Sequence, residues 1–182
     1  MKNLLRTLPL LALGLLVTVN RAQAQSGTLT GTTTVSVTIG PQAGLTITNS
    51  STPLTAGGSN FGAFTGTTGL NYYVRTSQTG GSGTITMKVT TDFSPANGPS
   101  VATPPTAGDA LTYTCTAAGP GTGCTGTQTA STSSQTNLVS FGADVHTTTA
   151  GSTASTAWSL TNDPKYKTGT YSATITYTIS AS

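Results

Sequence analysis

The chain has 182 residues, and with 6% of them charged and a formal net charge of +3 it lacks the clustered Lys and Arg needed to neutralise nucleic-acid phosphates. One histidine, two cysteines and four carboxylates supply no metal-ligand cluster and no cofactor motif. So few ionisable groups also argue against general acid–base or nucleophilic catalysis, and the expectation is a protein that is not an enzyme.

Residues 1 to 24 read as a signal peptide. Lys2 and Arg6 lead an apolar run from Leu8 to Val19, and Ala22-Gln23-Ala24 has the small-x-small form of a cleavage site. The run is short and is broken by Pro9 and Gly14, so it is not read as a membrane span. Removing 24 of 182 residues leaves residues 25 to 182, enough for one domain with a substantial core. In that part Arg75, Lys88, Lys165 and Lys167 balance Asp92, Asp109, Asp144 and Asp163. An exported protein results, destined for the periplasm, the cell surface or the medium, with no membrane span after cleavage.

Threonine fills 41 of those 158 positions. Its β-branched carbon favours extended backbone while its hydroxyl keeps an outer face wet. Residues 25 to 40 begin with a Gly-rich lead-in, then Val35, Val37 and Ile39 alternate with Thr34, Ser36 and Thr38 until Gly40-Pro41. This predicts an N-terminal strand, one that can pair at home or be lent to a neighbouring copy. Leu45 and Ile47 predict the next strand, Asn49 to Pro53 a turn, and Phe61 to Phe64, between glycines, either a short strand or a close backbone approach. Leu70, Tyr72 and Val74 alternate with polar neighbours, as do Ile85, Met87 and Val89, and the Gly80-Gly81-Ser82-Gly83 bend predicts a hairpin between them.

Four prolines between Asp92 and Gly108 mark a long loop. Leu111, Tyr113 and Cys115 resume the alternation. Cys115 and Cys124 are the only cysteines, and the turn-forming stretch between them predicts a disulfide. Such a short loop is expected to pin itself rather than the fold, at about 2 to 3 kcal/mol. Leu138 and the set Phe141, Ala143 and Val145 predict a further strand. Asp144 and His146 would emerge from one face of it, yet their place at an expected exposed strand end gives the pair no catalytic role. Trp158 and Leu160 are expected in the core, and Asn162-Asp163-Pro164 turns the chain into the last strand. There Tyr171, Ala173, Ile175, Tyr177 and Ile179 share one face, which needs other strands to pair with it and a second sheet to cover it. The fold class is all-β, one antiparallel β-sandwich of about 8 to 10 strands, immunoglobulin-like or pilin-like.

Two surface aromatics are candidates for ligand binding: Tyr73, opposite in face to Tyr72, and Tyr166, after Pro164. They support a second function class, a small carbohydrate- or cell-wall-binding module.

The closing Lys167-Thr168-Gly169-Thr170-Tyr171-Ser172-Ala173-Thr174-Ile175-Thr176-Tyr177 resembles the terminal strand of secreted bacterial β-sandwich proteins of the spore coat protein U type and related pilin-like subunits. Phe61-Gly62-Ala63-Phe64 is similar to a Phe-Gly-x-aromatic step early in those domains, and Trp158-Ser159-Leu160 to the Trp-x-Leu of WxL cell-wall-binding domains. A second such motif would fall at Tyr177-Thr178-Ile179, where tryptophan is missing. The resemblance implies a bacterial surface or appendage protein whose copies associate by strand addition, with Val35, Val37 and Ile39 as the exchanged apolar residues and self as partner.

Overall fold

The computed structural model describes residue 27 and residues 30 to 58 and 60 to 182. The expected signal peptide lies outside them. The chain divides into two units, residues 1 to 37 and 38 to 182. Among the described residues of the first, none lies in a strand. The second is all-β, without a helix among its described residues.

Among the described residues ten strands form two antiparallel sheets. They are β1 (Gln42–Ile47), β2 (Thr55–Ala56), β3 (Phe64–Arg75), β4 (Gly83–Ser94), β5 (Thr112–Ala117), β6 (Thr122–Gly123), β7 (Gln128–Thr129), β8 (Thr136–Phe141), β9 (Ser152–Leu160) and β10 (Ser172–Ala181). One sheet runs β1-β3-β9-β5-β7 with β2 also on β3, and the other β10-β4-β8-β6. Alternation sends Leu70, Tyr72 and Val74 of β3, Ile85, Met87 and Val89 of β4, and Ala154, Trp158 and Leu160 of β9 into one buried layer between the sheets. Opposite β4, β8 carries one extra residue: Ile85 faces Val139 and Thr86 faces Asn137. That bulge at Leu138 lets both Leu138 and Val139 be buried.

Several sequence expectations change here. Residues 34 to 39 have no strand pairing among the described residues, so the N-terminal strand expected over residues 25 to 40 is not seen there; residues 25, 26, 28 and 29 lie outside the described ones. The strand expected around Phe64 and the one at Leu70 are a single strand, β3, because Gly66 and Gly69 do not break it. A Cβ at Gly66 would collide with the Pro53 carbonyl oxygen, and one at Gly69 with Thr48 Oγ1, so both glycines admit a neighbouring segment. No hairpin joins β3 to β4, which lie in different sheets. Both sides of β3 are already occupied, and residues 76 to 82 cross over, held by Thr76 N–H to Val145 O (2.9 Å) and Ser77 N–H to Ser182 O (2.9 Å). The strand expected to reach Val145 stops at Phe141, since Asp144 turns the chain with φ +57°.

Candidate functional site

The last strand is not central: β10 is an edge of its sheet, paired with β4 on one side only. Its core-facing Ala173, Ile175, Tyr177 and Ile179 are consequently half-buried, whereas the matching residues of β4 are closed off. The edge is ten residues long and carries no charge and no proline. These are the devices by which sheet edges are ordinarily guarded against strand addition. A bulge near Thr174 interrupts only its first residues. The β1 edge of the other sheet runs beside it. Upstream of β1, Val35, Val37 and Ile39 are 91%, 82% and 66% exposed, an alternating apolar row with no partner among the described residues. At the root of this segment Arg75 Nε–H donates to Gly40 O (2.9 Å) and Nη2–H to Gln42 Oε1 (3.3 Å).

At the base of the sandwich two loops organise around carboxylates. The Asp92 carboxylate, at the end of β4, accepts from the backbone N–H groups of Phe93 (2.8 Å), Val101 (2.7 Å) and Ala102 (3.1 Å) and from the Ser100 hydroxyl (2.7 Å). Burial alone would raise this carboxyl, but those donors outweigh it and hold it below the ordinary value of 3.8. The sign follows: its contribution is present above 3.8 and is lost as pH falls through the depressed folded value. Asp92→Asn should therefore loosen residues 95 to 105 and lower stability at neutral pH by about 1 kcal/mol, a figure reduced by solvent screening. Unfolding in urea from neutral to acid pH checks it, and an unchanged acid limb in the variant would refute this role.

The other sequence candidates scatter. Cys115 on β5 and Cys124 after β6 form the expected disulfide, Cα to Cα 5.4 Å, joining strands of different sheets rather than pinning only its own loop. Tyr73 is 43% exposed on the outer face of β3, its ring against Gly151. Tyr166, expected as an exposed aromatic, is half-buried with its hydroxyl closed off from solvent. Burial together with the nearby Asp109 charge pushes that hydroxyl up to about 12. His146 is exposed, and its Nδ1 lies 3.1 Å from the Asp144 backbone oxygen, not its carboxylate. The two are not on one strand, because Asp144 occupies the left-handed turn. Sequence reasoning missed Asp92 and Asp163 as loop organisers; the signal was a carboxylate at the start of the Pro-rich stretch and another before Pro164. Among the described residues no group of three or more His, Cys, Asp or Glu could hold a metal ion, and no helix is long and apolar enough to cross a membrane.

No family model, no curated protein and no solved structure matches this chain.

Proposed function

We propose that this chain is a non-enzymatic structural protein, exported by its signal peptide and working outside the cytoplasm, as a coat or fibre-type subunit whose copies join by β-strand addition. The observation that carries this is the exposed row Val35, Val37 and Ile39 in a chain that also has the free, uncharged edge of β10. Residues 33 to 39 of one copy lie along β10 of the next, where backbone groups complete the ladder and the three apolar side chains cover the half-buried Ile175, Tyr177 and Ile179. A head-to-tail contact of this kind does not close on itself and yields a filament. The disulfide fits an oxidising compartment.

Light scattering with negative-stain microscopy on the purified, oxidised protein tests this. Regular polymers are expected from the intact chain and monomers after removal of residues 28 to 39. Polymer that survives the deletion refutes strand lending by this segment. A second reading, a carbohydrate- or cell-wall-binding module, draws support from the exposed ring of Tyr73 on a hydroxyl-bearing sheet face. It requires retention on polysaccharide that Tyr73→Ala abolishes.

A further inference from the structure

The Pro-rich loop ends at Thr106 to Asp109, where Asp109 N–H closes a turn onto Thr106 O (3.1 Å). The loop between β9 and β10 brings Asp163 against it. Thr106 Oγ1–H donates to Asp163 Oδ2 (2.5 Å), Lys165 N–H to Asp163 Oδ1 (2.8 Å), and Lys165 Nζ to Thr106 Oγ1 (3.1 Å). Asp163 thus has both oxygens satisfied. Asp109 does not: it is 4% exposed, and its Oδ2 is buried with no donor directed at it. The Tyr166 hydroxyl, which neighbours it, is buried as well and likewise makes no hydrogen bond.

A buried carboxylate oxygen without a donor is costly, whereas a protonated carboxyl becomes a donor itself and needs only an acceptor. The neighbouring Asp163 carboxylate supplies one. We infer that Asp109 and Asp163 hold a single proton between them and form an acid-set latch that fastens the Pro-rich loop to the loop leading into β10. The same two loops also meet through Lys167 N–H to Asn97 O (3.1 Å), with Tyr171 Oη–H donating to Lys167 O (2.7 Å). Loss of the proton therefore slackens a junction at the base of the edge strand without dissolving the sandwich.

The charged and titratable groups acting on Asp109 are Asp163, Tyr166 and Lys165. Burial is the largest influence and raises Asp109, and the Asp163 charge raises it further. Asp163 moves the other way, held down first by the Thr106 hydroxyl and then by the Lys165 N–H. For Asp109, the unfolded chain ionises near 3.8 while the folded one keeps its proton, so the latch weakens as pH climbs from there through the raised folded value. The Asp163 contribution is present above 3.8 and is lost only as pH falls through its depressed value. The latch is tightest in mild acid.

Amide hydrogen exchange of residues 106 to 109 and 163 to 167, corrected for the intrinsic pH dependence of exchange, tests the inference independently of assembly. Protection in the wild type should fall as pH rises from roughly 4 to 8, through the raised folded value of Asp109. Asp109→Asn, whose amide N–H replaces the carboxyl O–H as donor to Asp163, should hold protection level across that range. Asp163→Asn should reverse the slope, because an ionised Asp109 then accepts from the new amide. Flat wild-type protection, or an undiminished fall in Asp109→Asn, overturns the latch. Should either variant fail to fold, the carboxyl carbon resonance of Asp109 in the wild type decides: a midpoint above 3.8 is required, and one at or below it overturns the inference.

Discussion

Trp158→Ala should lower the stability of this domain by about 3 to 5 kcal/mol, the largest single loss we expect from one side chain. Trp158 is the only tryptophan. It is 3% exposed on β9, a strand paired on both sides, and its ring lies 5.5 Å from Tyr113 on the neighbouring β5. Its indole N–H donates to Thr68 Oγ1 (2.9 Å) on β3, and Thr68 shares a further hydrogen bond with Thr52 (2.7 Å). Truncation opens a cavity the size of an indole and strips a buried hydroxyl of its donor. Trp158→Phe helps to separate the two effects, since it keeps most of the ring volume while losing the N–H. It should cost about 1 to 3 kcal/mol. Calorimetry or far-ultraviolet circular dichroism must report the unfolding, because both variants remove the tryptophan fluorescence. In a domain of this size the Ala variant should melt roughly 6 to 20 °C lower. A loss under about 1 kcal/mol would show that β9 repacks freely and that the core is not organised around this ring.

The class of the fold is legible from residues alone because alternation writes itself into each strand. Leu70, Tyr72 and Val74, or Ile85, Met87 and Val89, could face a core in no other way, and they do face one. Strand order was not legible. Nothing local in Gly80 to Gly83 says whether the chain folds back into the same sheet or crosses to the other; that depends on β9 and β1 already occupying both sides of β3. The same holds for the last strand. Its period is as clean as that of β4, yet period reveals which face is apolar and not how many neighbours will pair with it. Its edge position emerges only from the completed sheet. Loop chemistry was least legible. Asp92 binds groups up to ten residues away and Asp163 reaches the hydroxyl of Thr106 across 57, and no spacing rule connects such partners. The alternation at Val35, Val37 and Ile39 is a different case: the pattern of a strand is present, and pairing among the described residues is absent.

Reducing the Cys115–Cys124 bond, or replacing both cysteines by serine, should cost about 2 to 3 kcal/mol, with a fall in melting temperature of roughly 4 to 12 °C. Chain entropy for so short a closure would give that figure anywhere, but here the bridge also spans the two sheets. β5 belongs to one and β6 to the other, and Cys124 N–H donates to Leu138 O (2.9 Å) on β8. The enclosed loop has a second tether. The Tyr72 hydroxyl, from the centre of β3, reaches Ala118 O (2.7 Å) and Pro120 O (3.0 Å), while Ser152 Oγ–H reaches Gly119 O (2.7 Å) and Ala118 O (3.0 Å). Two restraints on one short segment should not act independently. With the disulfide intact the loop carbonyls are held in place and Tyr72→Phe should cost about 1 kcal/mol. Without it they are free to turn to water, and the same substitution should cost less. A double-mutant cycle by urea unfolding measures that difference. Coupling indistinguishable from zero, within about 0.5 kcal/mol, would mean that the disulfide and the tyrosine hold different things and that the sheets are joined at this side by packing alone.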